Sequence, residues 1–270
     1  MLVTACKLFV TDLDGTVLID ERQAGSRATE RMKRALRALE ASGTLVCLAS
    51  GRMHESIRVV GRDLGVSGPV ISYNGAMLRG HDDALLAHHT LDVQVAAECV
   101  QLAHDRGLAL NFYHDGILYA RKMQPWWDIY SGRSSSPMQP VESLLPYIGR
   151  RPTKVLFYAP AAVVLALRDE LALLFTGRAT VMITGDEYLE VMPVEADKGF
   201  ALADLAKRLG LRPADIIAAG DGYNDLGMLE FAGLGIAISN GRESLKAKAD
   251  IIVGPPEHDG LAEYIERNLL

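Results

Sequence analysis

The chain has 270 residues, of which 49% are hydrophobic and 23% charged, and its 28 basic and 34 acidic residues give a formal net charge of −6. This is ordinary globular composition, which excludes disordered, collagen-like and coiled-coil chains. Charged residues interrupt every apolar run before it reaches the roughly 18 residues of a membrane span. The negative balance argues against a nucleic-acid backbone as a partner. We therefore expect a protein that binds neither membrane nor nucleic acid.

The N-terminus and the cysteines indicate the cellular compartment of the protein. The first seven residues lead directly into a strand-like segment and lack the regions of a secretory signal. Cys6, Cys47 and Cys99 are widely spaced, and two of them lie in apolar strand-like runs, which favours buried reduced thiols over disulfides or a zinc site. The expectation is a soluble cytoplasmic protein, a monomer or a small homo-oligomer.

The first quarter of the chain alternates short apolar runs with longer amphipathic segments. The pattern predicts a strand over 7–11, a helix over about 26–42, a strand over 44–49, a short helix, and a strand over 69–72. Such alternation is typical of parallel strands joined by helices. Residues 1 to about 75 are therefore predicted to form half of a doubly wound sheet.

The middle of the chain has a different pattern of predicted secondary structure. A strand-like segment at 85–91 and a helix over 93–105 precede two strands, 108–113 and 117–120, joined by the turn residues Asp115-Gly116. An Asp-Gly turn predicts an antiparallel hairpin. A second hairpin is predicted to pair 179–184 with 188–192. Antiparallel pairing within a parallel pattern predicts an inserted α+β domain over 80–193.

The parallel pattern then returns. A helix over 197–209, a strand over 215–219, strands near 235–238 and 250–253, and a terminal helix near 261–269 complete it. The predicted fold class is thus α/β: a Rossmann-like, doubly wound parallel sheet from residues 1–79 and 194–270, carrying the inserted domain.

Polar clusters follow the predicted strands or begin a predicted helix. Asp12 and Asp14 follow the first strand, residues 50–52 the second, and Asp221 a late one, while Lys198 begins a helix. Open α/β sheets bind ligands at the carboxyl ends of their strands, so one shared site is expected. Two carboxylates so close repel unless a cation separates them or one is protonated. A divalent ion with oxygen ligands, Mg²⁺ first, fits Asp12, Asp14 and Asp221.

The same region offers donors for an anion. Thr16, Ser50 and Gly51 supply hydroxyl and N–H groups near helix N-termini, and Lys198 in a first helical turn is unfavourable unless an anion compensates it. Each feature alone has an ordinary explanation: a surface turn for residues 12–15, a helix cap for Ser50, a solvated lysine for Lys198. Their combination is what indicates a ligand site.

In this combination the sequence resembles the haloacid dehalogenase superfamily. Within it the chain is similar to the Cof-type sugar-phosphate phosphatases, whose class IIB cap is inserted between the second and third motifs. The motifs that carry the resemblance are Asp12-Leu13-Asp14-Gly15-Thr16, Ser50-Gly51-Arg52, Lys198-Gly199 and Gly220-Asp221-Gly222-Tyr223-Asn224-Asp225, supported by 71–76, 188–193 and 228–235.

The resemblance implies catalytic roles. Asp12 would be the nucleophile that becomes an aspartyl-phosphate, and Asp14 the general acid and base, with its main-chain carbonyl on the metal. Lys198 would neutralise charge on Asp12 and on the phosphate. Mg²⁺ would be held by Asp12, Asp14 and Asp221, while Asp225 would support the metal shell or orient Lys198.

The resemblance also implies binding roles. Thr16, Ser50, Gly51 and Asn224 would bind the phosphoryl group, and Asn74 and Arg52 the substrate. The inserted cap would contact the leaving group. Candidates for that contact are Tyr113, His114, Trp126, Trp127 and Arg133.

The expected activity is Mg²⁺-dependent hydrolysis of phosphomonoesters of small metabolites, with sugar phosphates first and pyridoxal phosphate or flavin mononucleotide second. Two alternatives remain: a phosphomutase that reuses the Asp12 phospho-enzyme, and a non-catalytic phospho-acceptor or metabolite-binding regulator. A mere binder would have no use for Asp14, which favours the hydrolase. A dinucleotide site is disfavoured because Asp12 and Asp14 stand where a glycine-rich loop would be needed.

Overall fold

The computed structural model describes residues 6–19, 27–122, 127 and 137–270. The chain divides into two compact units, one formed by Met1–Ala87 with Asp197–Leu270 and the other by His88–Ala196. Among the described residues, no helix combines the length and the apolar character needed to cross a bilayer.

The strands of the described chain are β1 (Leu8–Thr11), β2 (Leu45–Ala49), β3 (Val70–Ser72), β4 (Met77–Arg79), β5 (Leu85–His88), β6 (Ala109–His114), β7 (Ile117–Arg121), β8 (Met138–Val141), β9 (Lys154–Tyr158), β10 (Thr180–Gly185), β11 (Tyr188–Met192), β12 (Ile216–Gly220), β13 (Leu234–Ile238) and β14 (Ile251–Val253). The helices are α1 (Glu30–Ala41), α2 (His54–Leu64), α3 (Val93–Arg106), α4 (Ala161–Leu174), α5 (Lys198–Leu209), α6 (Leu226–Phe231), α7 (Glu243–Lys246) and α8 (Gly260–Asn268).

The first unit is built on an eight-stranded sheet in the order β14-β13-β12-β1-β2-β3-β4-β5. The strands from β14 to β3 are parallel, and β4 runs antiparallel to β3. Both faces of the central strands are covered, which explains their continuous apolar runs. One face packs on α1 and α8, through residues such as Leu36 and Ile265, and the other on α5 and α6, through Leu202 and Met228. The predicted doubly wound α/β fold class is confirmed.

The second unit has a six-stranded sheet in the order β10-β11-β9-β6-β7-β8. Its neighbouring strands are antiparallel except for β7 and β8. Helices α3 and α4 bury an apolar face against it. At the β6–β7 turn, Asp115 and Gly116 have φ angles of 50° and 72°, the left-handed conformations that a tight Asp-Gly hairpin requires.

Three boundaries differ from the sequence prediction: the start of α1 and the two bounds of the inserted domain. Helix α1 begins at Glu30, because the Thr29 side chain accepts a hydrogen bond from the N–H of Met32, while the predicted start near Ser26 lies outside the described residues. The strand predicted to open the inserted domain is β5, which belongs to the first sheet. A turn closed by the N–H of Gly80 donating to the carbonyl of Ala84 at 2.9 Å brings β5 back beside β4. The units therefore divide after residue 87 rather than 79, and before residue 197 rather than 194.

All three cysteines are free; Cys47 and Cys99 are buried and Cys6 is partly buried. Burial raises the pKa of the Cys47 thiol to about 12, so this residue stays protonated and packs as an apolar side chain.

Candidate active site

The predicted polar clusters lie at the carboxyl ends of three adjacent strands. Asp12 follows β1, Ser50 follows β2 and Asp221 follows β12, and the sheet order places β1 between the other two. The N–H of Asp12 donates to Ala219 in β12 at 2.9 Å, which holds the start of the first loop against the neighbouring strand. Parallel pairing therefore brings residues more than 200 positions apart to one edge of the sheet.

Lys198 lies at the centre of this edge. It is the first residue of α5, is fully buried, and its Nζ lies 2.6 Å from Oδ1 of Asp12 and 2.6 Å from Oδ1 of Asp225. Burial alone would lower the pKa of Lys198, but the two carboxylates outweigh it and raise the pKa above its usual value. The ammonium is thus charged, and the carboxylates compensate its unfavourable position at a helix N-terminus.

The site holds more negative charge than one lysine neutralises. Burial, followed by repulsion from Asp225 and Asp221, raises the pKa of Asp12 well above its ordinary value, although Lys198 opposes the shift. Burial and then repulsion from Asp225 raise the pKa of Asp221 from 3.8 to about 6. A second cation would relieve this repulsion.

The donor set fits a hard metal ion. One carboxylate oxygen each from Asp12, Asp221 and Asp225 lie within 4.8 Å of one another. Carboxylate oxygens are the ligands that Mg²⁺ takes in proteins. Gly15 permits this approach: its φ is +83°, and a Cβ at this position would lie 2.7 Å from Oδ2 of Asp221.

The oxygens of Asp225 have other partners. Its Oδ1 accepts from Lys198, and its Oδ2 accepts from the N–H groups of Asp221 at 3.0 Å and Gly222 at 2.8 Å. Asp225 therefore orients the lysine and holds the loop that carries Asp221, which leaves Asp12 and Asp221 as the side chains better placed for a cation.

The side chain of Asp14 takes a different position. Its carboxylate is 44% exposed and forms a two-point ion pair with Arg52, in which Nε donates to Oδ2 at 2.7 Å and Nη2 donates to Oδ1. The clustered carboxylates are those of Asp12, Asp221 and Asp225, so the side chain of Asp14 is not part of that group. An exposed carboxylate beside the cluster is accessible to a substrate and to water.

Thr16 has a side-chain partner that the sequence did not predict. Its buried hydroxyl donates to Oδ1 of Asp221 at 3.0 Å. The tight turn after β1, closed by the N–H of Leu18 donating to Leu13 at 2.8 Å, fixes Thr16 toward the β12 loop. This hydrogen bond holds the Asp221 carboxylate in place, and the predicted contact of the Thr16 hydroxyl with a phosphoryl oxygen stays a prediction.

Asn74 joins the second and fourth motifs. Its N–H donates to the carbonyl of Ser50 at 3.1 Å, and its Oδ1 accepts from Nδ2 of Asn224 at 2.9 Å. Gly51 lies so close that a Cβ there would come 2.9 Å from Asn74 Oδ1. The Ser50 hydroxyl accepts from the N–H of Arg52 at 3.2 Å. Asn74 thus links the loops after β2 and β12 by donating one hydrogen bond to Ser50 and accepting one from Asn224.

Of the five residues predicted to contact the leaving group, the structure describes three. Tyr113 is buried, with Nζ of Lys154 5.0 Å from the centre of its ring, and His114 contacts the carbonyl of Arg151 through Nδ1. Trp127 is partly buried. Trp126 and Arg133 lie outside the described residues.

The sequence reasoning did not single out a buried ion pair next to Tyr113. Nζ of Lys154 lies 2.5 Å from Oε1 of Glu190, and both side chains are at most 7% exposed. Glu190 falls within the 188–193 stretch that carried part of the family resemblance, which was the available signal for it.

Comparisons with known proteins agree with this geometry. The family model for haloacid dehalogenase-like hydrolases matches residues 9–265. A phosphoglycolate phosphatase from Methanopyrus kandleri is 28% identical over 97% of each chain. A Bacillus subtilis 5-amino-6-(5-phospho-D-ribitylamino)uracil phosphatase, YitU, is 26% identical over 96% of each chain.

Solved structures show the same architecture. The crystal structure of a haloacid dehalogenase-like hydrolase from Bacteroides thetaiotaomicron superposes with a TM-score of 0.89 and 28% identity, covering 97% of this chain and 99% of the other. Sequence and fold agree along almost the full length. The chain therefore belongs to the haloacid dehalogenase-like hydrolases, as a Cof-type phosphoric monoester hydrolase.

Proposed function

We propose that the protein is a Mg²⁺-dependent phosphatase that hydrolyses phosphomonoesters of small metabolites through a phosphorylated Asp12. The observation that carries the proposal is the buried Asp12 carboxylate, with its Oδ1 on the Lys198 ammonium at 2.6 Å and Asp221 and Asp225 in the same cluster. Sugar phosphates are the first substrate class to examine, and pyridoxal phosphate and flavin mononucleotide the second.

In the first half-reaction, the Asp12 carboxylate attacks phosphorus, an oxygen–phosphorus bond forms, and the bond to the leaving oxygen breaks. Asp14 donates the proton that the leaving alcohol needs. Its ion pair with Arg52 keeps Asp14 outside the carboxylate cluster, where it faces solvent. In the second half-reaction, Asp14 takes a proton from water, the water attacks phosphorus, and Asp12 and inorganic phosphate are released.

Asp12 and Asp221, with the main-chain carbonyl of Asp14, would hold Mg²⁺, which would reduce the repulsion between the carboxylate nucleophile and the phosphate. Lys198 neutralises the remaining charge on Asp12 and on the transferred group. We assign Ser50, Gly51 and Asn224 to the phosphoryl oxygens.

Two further assignments complete the site. Thr16 positions Asp221, as its 3.0 Å hydrogen bond supports, and Arg52 and Asn74 hold substrate. Selectivity for the leaving group is assigned to the inserted unit, which we equate with the cap of the Cof-type phosphatases.

A panel of phosphorylated metabolites, assayed for phosphate release with Mg²⁺, tests the proposal. Asp12→Asn keeps the shape of the side chain and removes the nucleophile, so kcat should fall by at least about 10³-fold, or about 4 kcal/mol of barrier. Asp204→Asn, an exposed change on α5, should leave kcat unaltered. Near-normal turnover by Asp12→Asn would refute the mechanism.

The same assay separates the alternatives. A phosphomutase would require a bisphosphate activator and release little inorganic phosphate. A regulator would accept one phosphoryl group on Asp12 without turnover.

A further inference from the structure

The outward face of α4 is apolar although it lies in solvent. Val164, Leu167 and Leu171 pack into the core of the second unit. On the other side, Leu173 is 81% exposed and Leu165 is 53% exposed. A surface helix ordinarily presents charged or polar residues there, and exposed apolar patches mark interaction sites.

The sequence of α4 is symmetric about Asp169. Residues 165–173 read Leu-Ala-Leu-Arg-Asp-Glu-Leu-Ala-Leu, the same in both directions except for Arg168 and Glu170. Those two residues differ in the sign of their charge. A twofold axis through Asp169 would therefore place like apolar residues together and Arg168 opposite the partner's Glu170, since isologous interfaces pair residue i with j and j with i.

The symmetric residues also share one side of the helix. Positions 162, 165, 166, 169, 172 and 173 follow the three-and-four spacing of a helix-pairing seam, whereas Leu167 and Leu171 belong to the buried side. In an antiparallel pair, Leu165 would pack against the partner's Leu173 on each side of Asp169.

Charge does not oppose this pairing. Arg168 Nε lies 2.7 Å from Asp169 Oδ1, and Arg106 pairs with Glu170 at 2.6 Å. The side chains of these ion pairs are between 42% and 73% exposed, so each can meet a second partner. Around the axis, Arg106 and Arg168 of both copies balance Asp169 and Glu170 of both copies. The two Asp169 carboxylates face each other with an arginine beside each.

We propose that two copies of this protein form a twofold dimer by antiparallel pairing of α4. The occupant of the apolar face is a second copy, because the sequence of the face repeats under a twofold rotation and the same rotation pairs opposite charges. An interface built on one helix pair is at the small end of specific interfaces, so a dissociation constant in the micromolar range is expected.

Sedimentation velocity of the full chain from about 1 to 500 µM tests the proposal, a range chosen to bracket micromolar affinity. The wild type should pass from monomer to dimer, and the double variant Leu165→Glu/Leu173→Glu should remain monomeric with unchanged kcat. Leu174→Glu is the matched control, since it changes the neighbouring exposed leucine off the seam and should leave the dimer intact. A monomeric wild type at 500 µM, or a dimer that persists in the double variant, would overturn the proposal.

A charge exchange gives a second test that does not depend on apolar residues. Arg168→Glu alone and Glu170→Arg alone each place like charges across the axis, so each should dimerise at least tenfold more weakly. An equimolar mixture pairs opposite charges again and should recover the dimer. The mixture cannot restore the pairs within one copy, so recovery reports contact between copies. A mixture as weak as the single variants would contradict this geometry.

Discussion

The Nζ of Lys198 lies 2.6 Å from Oδ1 of Asp12, with both side chains at most 8% exposed and 186 residues apart in sequence. The lysine begins α5 and the aspartate directly follows β1, so the ion pair joins the start of a helix to the carboxyl end of a central strand. Asp225 completes a triad in which one ammonium serves two carboxylates.

Replacing Lys198 should reveal how much charge the site carries. Lys198→Met leaves Asp12 and Asp225 buried without their cation, so it should abolish turnover and lower the free energy of unfolding by about 3–5 kcal/mol at pH 8. The pKa of Asp12 is already raised by burial, and a raised carboxyl pKa costs stability as the pH rises through it. The loss should therefore be smaller at pH 5 than at pH 8. Urea unfolding at both pH values measures this. Lys207→Met, at the other end of α5, is the control, and a loss independent of pH would contradict the charge argument.

The pKa of Asp221 predicts a coupling between pH, Mg²⁺ and stability. Its folded value of about 6 lies above the unfolded 3.8, so its contribution is full below 3.8 and is lost as pH rises through 6, by at most about 3 kcal/mol. Mg²⁺ favours the ionised carboxylate and should therefore raise Tm more at pH 8 than at pH 5.

Thermal melts with EDTA or with Mg²⁺ measure that difference. Asp221→Asn removes the titrating group and should lose both the pH dependence attributed to it and most of the Mg²⁺ effect. An equal Mg²⁺ increment in Tm at the two pH values would show that this carboxylate does not hold the metal.

Asp14 should affect chemistry without affecting the metal. Asp14 is the proposed proton donor and acceptor, so Asp14→Asn should slow both phosphorylation and hydrolysis of the phospho-enzyme by roughly 10²-fold or more. Because the Asp14 side chain pairs with Arg52 outside the carboxylate cluster, the substitution should leave Mg²⁺ binding unchanged. Single-turnover assays measure both steps, and the Tm increment on adding Mg²⁺ should match that of the wild type. Loss of that increment would mean that the Asp14 side chain binds the ion.

Much of the fold followed from the sequence because its signals are local. The apolar runs at β1 and β2 and the Asp115-Gly116 turn each depend on a few neighbouring residues. The position of β5 did not follow, since whether a short strand joins one sheet or another depends on the turn after Gly80 and on partners distant in sequence.

The active site likewise has features that the sequence predicts and features that depend on partners distant in sequence. Parallel topology brings Asp12, Asp221 and Lys198 together, as the order of the motifs indicated. The partner of Thr16 depends on side-chain direction within a tight turn, which a motif does not specify. The ion pair of Lys154 with Glu190 joins β9 and β11, so it depends on how two strands 36 residues apart pair, which the residues around each partner do not specify.

The turn that holds Asn74 offers the sharpest structural test. Tyr73, Asn74 and Gly75 have consecutive positive φ angles of 52°, 56° and 99°, and a Cβ on Gly75 would lie 2.2 Å from the carbonyl oxygen of Asp197, the residue that caps α5. A methyl group there would push the turn away from α5, and with it Asn74 from its contacts. Gly75→Ala should therefore lower both stability and kcat/KM.

Gly107→Ala is the matched control, since Gly107 also has a positive φ of 63° but nothing lies within 4 Å of its Cβ position. The backbone conformation alone costs about 1–2 kcal/mol in both variants. The clash should add at least about 2 kcal/mol in Gly75→Ala only, because backbone atoms cannot move aside as a flexible side chain can. Urea unfolding and steady-state kinetics of the two variants separate the cost of the backbone conformation from the cost of the clash. Equal losses would mean that the turn and the α5 terminus move apart freely, and that the close contact at Gly75 does not position the site.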